Sequence, residues 1–308
     1  MINKLWNGRR YYSLDAYLKN TYGEKLYKLP LSAKVTCPNR DGSLGTGGCI
    51  FCSEGGSGDF AESSSLSISS QIEHGKKRIE SKFPNGKYIA YFQSFTSTYA
   101  DINYLEEIFF EAINNKDIAI LSIATRPDCL GPEVIELLSR LQKIKPVWVE
   151  LGLQTSNPNS VKLINRGYEN EVFEKAVKNL NHINVDVIAH VILGLPGETS
   201  KDMEETVRYA CSHNIQGIKL QLLHVLKNTK LYHMYEAGEF TTLDPDNYYD
   251  ILSKCLEIIP PHVVIHRLTG DGPKDILVSP TWSCNKKKVL NDFNHFLKEN
   301  DSFQGKMV

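Results

Sequence analysis

The sequence lacks the long apolar runs that membrane and exported proteins carry. No segment approaches the roughly eighteen consecutive apolar residues that a membrane-spanning helix requires. Its opening stretch, MINKLWNGRRYYSLDAYLKN, contains charges and aromatic residues in place of the apolar core and small-residue cleavage site of a signal peptide. We therefore expect a cytoplasmic protein with no membrane partner.

The chain also lacks a charge excess and an even set of cysteines. Its formal charge of −1 gives no overall attraction to nucleic acid, so an RNA contact would need a local basic patch. Seven cysteines in 308 residues, without a secretion signal, argue against a disulfide framework and for reduced thiols, some of them metal ligands. Hydrophobic residues make up 41% and charged residues 23%, which is typical of a globular protein with a sizeable core.

Strand-like and helix-like segments alternate from residue 85 onward. Apolar runs rich in β-branched residues predict strands, and amphipathic stretches between them predict helices. The strands are predicted at 32–37, 87–95, 118–125, 147–154, 185–195 and 217–226, and the helices at 103–115, 131–142, 171–183 and 199–214. Strands that are apolar throughout are buried on both faces, so the pattern predicts a parallel α/β sheet. A full barrel, a partial barrel and a doubly wound sheet all fit it.

The repeat occupies residues 31–230. Residues 1–30 and 231–308 flank it, and we expect them to be extensions packed on the core, with the C-terminal one binding substrate. Within that extension, residues 263–273 predict a further strand and residues 281–298 a helix.

The most informative motif is CPNRDGSLGTGGCIFC, which contains Cys37, Cys49 and Cys52. Zinc in a structural site and a closed iron–sulfur cluster both need four protein ligands. A cubane cluster held by three thiolates would leave one iron open to bind a small molecule. Phe51 would shield such a cluster, and the glycines of the motif would let the backbone fold closely around it.

A zinc site stays open as an alternative, but the second close pair of Cys or His ligands that it would need is not found downstream, where the cysteines are single. The remaining cysteines are scattered, and we interpret them as packing or incidental thiols: Cys129, Cys211, Cys255 and Cys284.

Three cysteines with an aromatic residue before the last, in the loop after the first strand of a βα repeat, resemble the radical S-adenosylmethionine (SAM) enzymes. The usual spacing there is three residues and then two, whereas eleven residues separate Cys37 from Cys49 here. This expanded spacing, with CPNRDG and GGCIFC, resembles the YhcC/YtqA-type group, which is related to the radical SAM domain of the Elongator catalytic subunit. The resemblance runs from about residue 10 to residue 295.

The resemblance implies a partial (βα)6 TIM-like barrel with a [4Fe–4S] cluster on the three cysteines. The open iron would bind the amino and carboxylate groups of SAM, and an electron from a donor such as flavodoxin or ferredoxin would release a 5′-deoxyadenosyl radical. The protein would contribute positioning and exclusion of water.

Residues at the ends of the predicted strands are candidates for binding SAM, because barrel function lies at strand carboxyl ends. These candidates are Gln93, Ser94, Thr96, Arg126, Asp128, Glu150, Gln154, Gly194, Leu222, His224 and Val225. The Gly-Gly-Glu form that the family places after its second strand is absent, so Gln93 to Thr96 could equally be a polar turn. Arg126 and Asp128 also suit a strand-to-helix connection, and His224 suits a core histidine.

The C-terminal extension holds the candidates for substrate binding. Trp next to Lys and Arg is a common way to hold unpaired bases, although adjacent lysines also occur at ordinary solvated helix starts. The candidates are His266, Arg267, Asp271, Trp282, Lys286 and Lys287.

The resemblance to Elongator-type enzymes implies a transfer RNA substrate and remodelling of a wobble-uridine side chain, from a carboxymethylaminomethyl toward an aminomethyl group. No acyltransferase-like stretch follows the repeat in this sequence, so acetyl-CoA chemistry is not expected. Two alternatives stay open. One is radical chemistry on a small metabolite or a protein side chain, and the other is a non-catalytic metal-binding or RNA-binding protein on the same barrel.

Overall fold

A computed structural model describes residues 6–56, 58, 61–81, 83, 86–270 and 272–308. Its strands are β1 Tyr27–Leu31, β2 Tyr88–Phe92, β3 Ile118–Thr125, β4 Val147–Gln154, β5 Asp186–Leu193, β6 Gly217–Leu222, β7 Val225–Leu226, β8 Val264–Arg267 and β9 Leu277–Ser279. Seven of them form one parallel sheet in the order β1-β2-β3-β4-β5-β6-β8, and β7 pairs with β9 in a small antiparallel sheet. The parallel α/β sheet predicted from the sequence pattern and the partial TIM-like barrel implied by the resemblance are confirmed.

Helices flank this sheet, most of them on its outer face. They are α1 Leu14–Tyr22, α2 Ile68–Ile79, α3 Ile102–Asn114, α4 Pro132–Gln142, α5 Pro158–Leu163, α6 Asn170–His182, α7 Ser200–Cys211, α8 Lys230–Glu236, α9 Pro245–Glu257 and α10 Lys286–Glu299. In the part of the chain that the structure describes, none of them is long and apolar enough to cross a bilayer.

Local sequence signals set the starts of these helices. Asp101 accepts hydrogen bonds from the first backbone N–H groups of α3, and Pro132 begins α4 where no N–H donor is needed. At α7, Thr199 and Asp202 bond each other's backbone N–H groups in a capping box. The four helices predicted from the sequence begin within one or two residues of the observed starts.

The first strand differs from the prediction. The strand pairs Tyr27 with Tyr88 and Leu31 with Phe92, whereas residues 32–37, predicted as a strand, form an irregular segment. Pro30 argues against a strand at Tyr27–Leu31, because proline has no backbone N–H to donate to a neighbouring strand. It is tolerated because β1 lies at the edge of the sheet. The sheet therefore begins before residue 31, and β8 extends it beyond residue 230.

The sheet separates two hydrophobic regions. Its outer face packs against the helices in the main core. Inside the half-barrel, at the amino ends of the strands, an apolar layer closes the interior, and α1 contributes Leu18 to it. The layer consists of Leu18, Leu26, Ile89, Ile120, Trp148 and Ile188. Functional sites of such folds lie at the other end of the interior, toward the carboxyl ends of the strands.

Candidate functional site

The cavity at the carboxyl ends of the strands has a volume of about 280 Å³. Successive residues of a strand point to opposite faces, so Glu150, Gly152 and Gln154 of β4 line the cavity while Leu151 and Leu153 pack into the outer core. This is the shared face of Glu150 and Gln154 that the sequence alternation predicts.

The cysteine loop closes one side of this cavity. Cys37, Cys49 and Cys52 all line it. Tight turns present them: the N–H of Arg40 donates to the carbonyl of Cys37 at 2.8 Å, and the N–H of Cys52 donates to the carbonyl of Cys49 at 3.1 Å. The glycine-rich loop therefore brings the three thiols to the cavity despite the eleven residues between the first two.

Asparagine side chains fix the loop to the barrel. Asn39 Nδ2 donates to the carbonyl of Asn165 at 2.6 Å and lies 3.7 Å from the sulfur of Cys49. In return, Asn165 Nδ2 donates to the carbonyl of Gly48 at 2.8 Å. Gly48 has a φ of +67°, a left-handed conformation that glycine adopts without strain.

Burial disfavours the thiolate form of Cys49. Burial raises the pKa of Cys49 to about 12, and the neighbouring Cys52 adds to the shift, while Arg126 opposes it. Among the described residues, no three His, Cys, Asp or Glu side chains are grouped so that they could hold a single metal ion. The three cysteines all line the cavity, and ligation of iron is the kind of interaction that stabilises buried thiolates.

Two arginines flank Tyr168 beside the cysteine loop. The guanidinium of Arg126 lies 4.8 Å and that of Arg166 4.5 Å from the centre of the Tyr168 ring. Arg126 also donates to both carboxylate oxygens of Asp128, at 2.9 and 2.7 Å, which makes this a bidentate ion pair. Arg166 donates to backbone carbonyls, among them those of Leu153 at 2.8 Å and Tyr168 at 2.7 Å, so it fixes the end of β4.

A charged layer forms the floor of the cavity, directly above the apolar layer. Glu150 has a fully buried side chain. Its Oε1 accepts from Lys28 and, at 3.0 Å, from Ser122. Its Oε2 contacts Lys219 and lies 2.9 Å from Nε2 of His190. A carboxylate has about four acceptor positions, and all four on Glu150 are occupied by protein groups.

These contacts decide the charge of the layer. Burial disfavours ionisation of Glu150, but the ammonium groups of Lys219 and Lys28 outweigh burial and hold the pKa of that carboxyl well below its ordinary value. Burial and the charge of Lys219 lower the pKa of His190 to about 4, so this imidazole is neutral at neutral pH. Glu150 is accordingly an anion held between two lysine side chains, and burial lowers the pKa of Lys219 well below its ordinary value.

The structure brings most of the predicted site residues together. The cavity is lined by Cys37, Cys49, Cys52, Gln93, Thr96, Arg126, Glu150, Gln154, Leu222, His224 and Arg267. Eight described residues from the predicted set do not line it: Ser94, Asp128, Gly194, Val225, His266, Trp282, Lys286 and Lys287. Lys286 and Lys287 are exposed at the start of α10, away from the lining, and Asp271 lies outside the described residues.

Packing explains several of these positions. Trp282 stacks near Tyr248 and donates to the carbonyl of Leu243 at 3.1 Å, so it belongs to the outer core. Gly194 has a φ of +93° and faces Leu243, which places it in a packed turn. His266 lines a second cavity at the amino ends of the strands, next to Trp148.

Sequence reasoning missed several lining residues. Tyr91 lies on β2 and His190 on β5, and each is two residues away from another inward-facing residue of its own strand. The alternation of side chains along a strand was therefore the signal that could have identified them. Tyr168 and Arg166 come from the irregular segment after α5, where no periodicity applies. Arg40 follows the first cysteine, and its Nη2 donates to the carbonyl of Ser53 at 2.6 Å.

Comparison with known proteins supplies the context for this geometry. Residues 40–210 match the family model of the radical SAM superfamily, and residues 215–299 match the model of the radical SAM C-terminal domain. The chain is 42% identical to the protein YtqA of Bacillus subtilis over 298 residues, which cover 97% of this chain and 92% of YtqA.

Two further similarities are partial. The chain is 30% identical over 174 residues to a tRNA uridine(34) acetyltransferase of Methanocaldococcus infernus, which covers 55% of this chain and 32% of that protein. The solved structure of Elp3 from Methanocaldococcus infernus matches with a TM-score of 0.69 and 18% identity, over 91% of this chain and 64% of that one. The structural match to Elp3 establishes a shared fold. This chain spans less than two-thirds of the length of either protein.

Proposed function

Because the chain belongs to the radical SAM superfamily, whose members use a [4Fe–4S] cluster and SAM, we propose that Cys37, Cys49 and Cys52 bind the cluster. The observation that carries this assignment is the convergence of all three thiols on one cavity, from a loop that holds them eleven and two residues apart. Soft thiolates are the ligands that iron–sulfur clusters take. When bound, the cluster and SAM supply the hydrogen-abstracting chemistry of the family.

The chain's own residues have distinct parts in this arrangement. Asn39 and Arg40 hold the cysteine loop, and Arg126 contributes positive charge near Cys49 that favours its thiolate. The apolar layer around Trp148 closes the cavity from below and keeps water out of that end. Such positioning and water exclusion are the usual contributions of a protein to cofactor-driven chemistry.

Gln154 is our candidate for binding the polar groups of SAM. It lines the cavity, and its buried Oε1 has no hydrogen-bond partner among the described residues. Its φ of +67° at the end of β4 is unusual for a residue with a side chain, and such strain concentrates at binding sites. Glu150, the other candidate on this face, has no free acceptor position, so it supports its neighbours and does not bind the cofactor directly.

Replacing Gln154 by alanine is expected to weaken SAM binding about 3- to 10-fold, which is the loss of one or two neutral hydrogen bonds. Equilibrium binding of SAM to the cluster-loaded protein measures it. Asparagine at this position tolerates the left-handed conformation and keeps an amide, so Gln154→Asn is expected to retain part of the affinity. Unchanged SAM affinity in Gln154→Ala, with cluster content intact, would contradict this role.

For the substrate we propose the wobble uridine of transfer RNA, with conversion of a carboxymethylaminomethyl side chain toward an aminomethyl one. The support is the sequence similarity to an enzyme named for uridine 34 of tRNA, together with the fold shared with Elp3. The similarity covers 32% of that enzyme, so the acetyltransferase activity in its name is not carried over.

Modified nucleosides in tRNA from cells with and without the gene test the substrate. We expect carboxymethylaminomethyluridine to accumulate in the deletion strain and the aminomethyl-derived nucleosides to disappear. The wild-type gene and a Cys211→Ala variant should restore them, whereas the triple alanine variant of the cluster cysteines should not. Identical nucleoside profiles in the two strains would discard the RNA substrate and leave the radical SAM assignment standing.

A further inference from the structure

Asn39 is a buried amide that lies between the cysteine loop and the segment after α5. The residue is 2% exposed. Its Nδ2 lies 2.6 Å from the carbonyl oxygen of Asn165 and 3.7 Å from the sulfur of Cys49. One amide group therefore contacts both the barrel and one of the three thiols that the proposed function assigns to the cluster.

The hydrogen-bond network fixes which end of this amide faces the sulfur. If the amide were turned over, its oxygen would lie 2.6 Å from the carbonyl oxygen of Asn165, and two acceptors repel each other. The oxygen packs closely against Gly167, because a Cβ at that glycine would lie only 2.9 Å from Oδ1. The NH2 group of Asn39 is therefore the end that faces the sulfur of Cys49.

This NH2 group has a hydrogen to spare for the sulfur. It carries two hydrogens, and the short contact with the carbonyl of Asn165 takes one of them. The carbonyl of Arg166 lies 3.4 Å from Nδ2, which is long for an N–H···O bond, and it already accepts from Arg126 at 2.9 Å. Sulfur is larger than oxygen, so hydrogen bonds to it are longer, and the 3.7 Å to Cys49 is within their reach.

We propose that Asn39 donates an N–H···S hydrogen bond to the Cys49 thiolate of the [4Fe–4S] cluster and thereby raises the reduction potential of the cluster. This inference rests on the proposed function, because it needs the cluster on the cysteine loop. One-electron reduction makes the thiolates more negative, so the positive end of the N–H dipole stabilises the reduced state more than the oxidised one. Hydrogen bonds to the sulfurs are among the factors that set such potentials, and burial of Asn39 strengthens this one.

The test is a reductive titration of the reconstituted protein without SAM, using dithionite as the electron donor and electron paramagnetic resonance as the readout. Asn39→Ala is expected to shift the equilibrium of one-electron reduction about 3- to 10-fold toward the oxidised cluster, which is the effect of losing one hydrogen bond. At about 59 mV per tenfold change, this lowers the potential by roughly 30–60 mV. Asn39→Asp keeps the size of the side chain but replaces the donor with an acceptor, so it should lower the potential at least as much.

Asn165→Gly is the matched control, because it removes the other asparagine bond of the loop and leaves the sulfur contact in place. The side chain of Asn165 donates to the carbonyl of Gly48 at 2.8 Å, and its φ of +54° is one that glycine adopts without strain. A purely structural role of Asn39 would give the same result in both variants, which is faster loss of iron at an unchanged potential. We expect Asn165→Gly to keep the wild-type potential.

A nitrogen-15 label on the side chains of asparagine supplies a second readout. Pulsed electron paramagnetic resonance of the reduced cluster should detect a coupling to this nitrogen in the wild type and in Asn165→Gly, and not in the two Asn39 variants. A wild-type spectrum without the coupling would overturn the proposal, even if neither Asn39 variant retained the cluster.

The potentials separate this inference from the proposed function. Equal potentials in the wild type and both Asn39 variants would overturn the proposal and leave the cluster assignment standing. An equal fall in Asn165→Gly would assign the effect to loop geometry and would also overturn it. Wild-type protein that holds no [4Fe–4S] cluster would remove the proposed function and this inference together.

Discussion

Replacing Cys37, Cys49 and Cys52 together by alanine is expected to remove bound iron, the visible absorbance of the cluster, and all detectable cleavage of SAM. All three thiols line the same cavity, and with none of them left the cavity retains no cysteine from the loop. Thiolates are the ligands of such clusters, so no partial binding is expected from the remaining arginines. Iron analysis and product chromatography after anaerobic reconstitution measure the effect.

Cys211→Ala is the matched control for that variant. Its sulfur is partly buried on α7, it packs against the main core, and it does not line the cavity. We expect it to keep iron content and SAM cleavage at wild-type levels. Normal iron loading in the triple variant, or an equal loss in Cys211→Ala, would contradict the assignment of the cluster to the loop.

The second large effect is expected at Glu150, where alanine should lower the free energy of unfolding by about 3–5 kcal/mol. The side chain is fully buried and touches two lysines, a histidine and a serine. Removing it leaves Lys219 buried and next to a second cation without their shared counter-charge. Denaturant unfolding of the protein without cofactors measures the change.

Two further variants identify the cause of the lower unfolding free energy. Glu150→Gln keeps the size of the side chain and removes its charge, so it is expected to lose much of the same stability. Glu106→Ala, which breaks the exposed ion pair with Arg140, is expected to change stability little. If Glu150→Gln were as stable as wild type, packing and not charge pairing would explain the alanine result.

The strands and helices of the repeat were predictable because burial on both faces leaves a strong signal. Strand β3 was predicted with its observed ends, as was β4, since uninterrupted apolar runs define both. Strand β1 was missed because Pro30 is unfavourable in any strand except at an edge, and edge position is a property of the whole sheet.

The candidate site was predictable in part for a similar reason. Alternation put Glu150 and Gln154 on one face of β4, and the cysteine motif was visible directly. The convergence of Lys28 and Lys219 on Glu150 was not visible, because it depends on the register of strands far apart in the sequence. In that convergence protein groups contact both carboxylate oxygens of Glu150, which alternation along one strand does not reveal.

The assignment of a SAM-cleaving cluster to the cysteine loop is tested most simply with protein that has been reconstituted with iron and sulfide in the absence of oxygen. The protein is mixed with a strong reductant and SAM, and its metal content and the reaction products are determined. We expect about four iron atoms per chain and formation of 5′-deoxyadenosine together with methionine. One tightly bound zinc ion per chain at the cysteine loop, with SAM recovered intact, would contradict it.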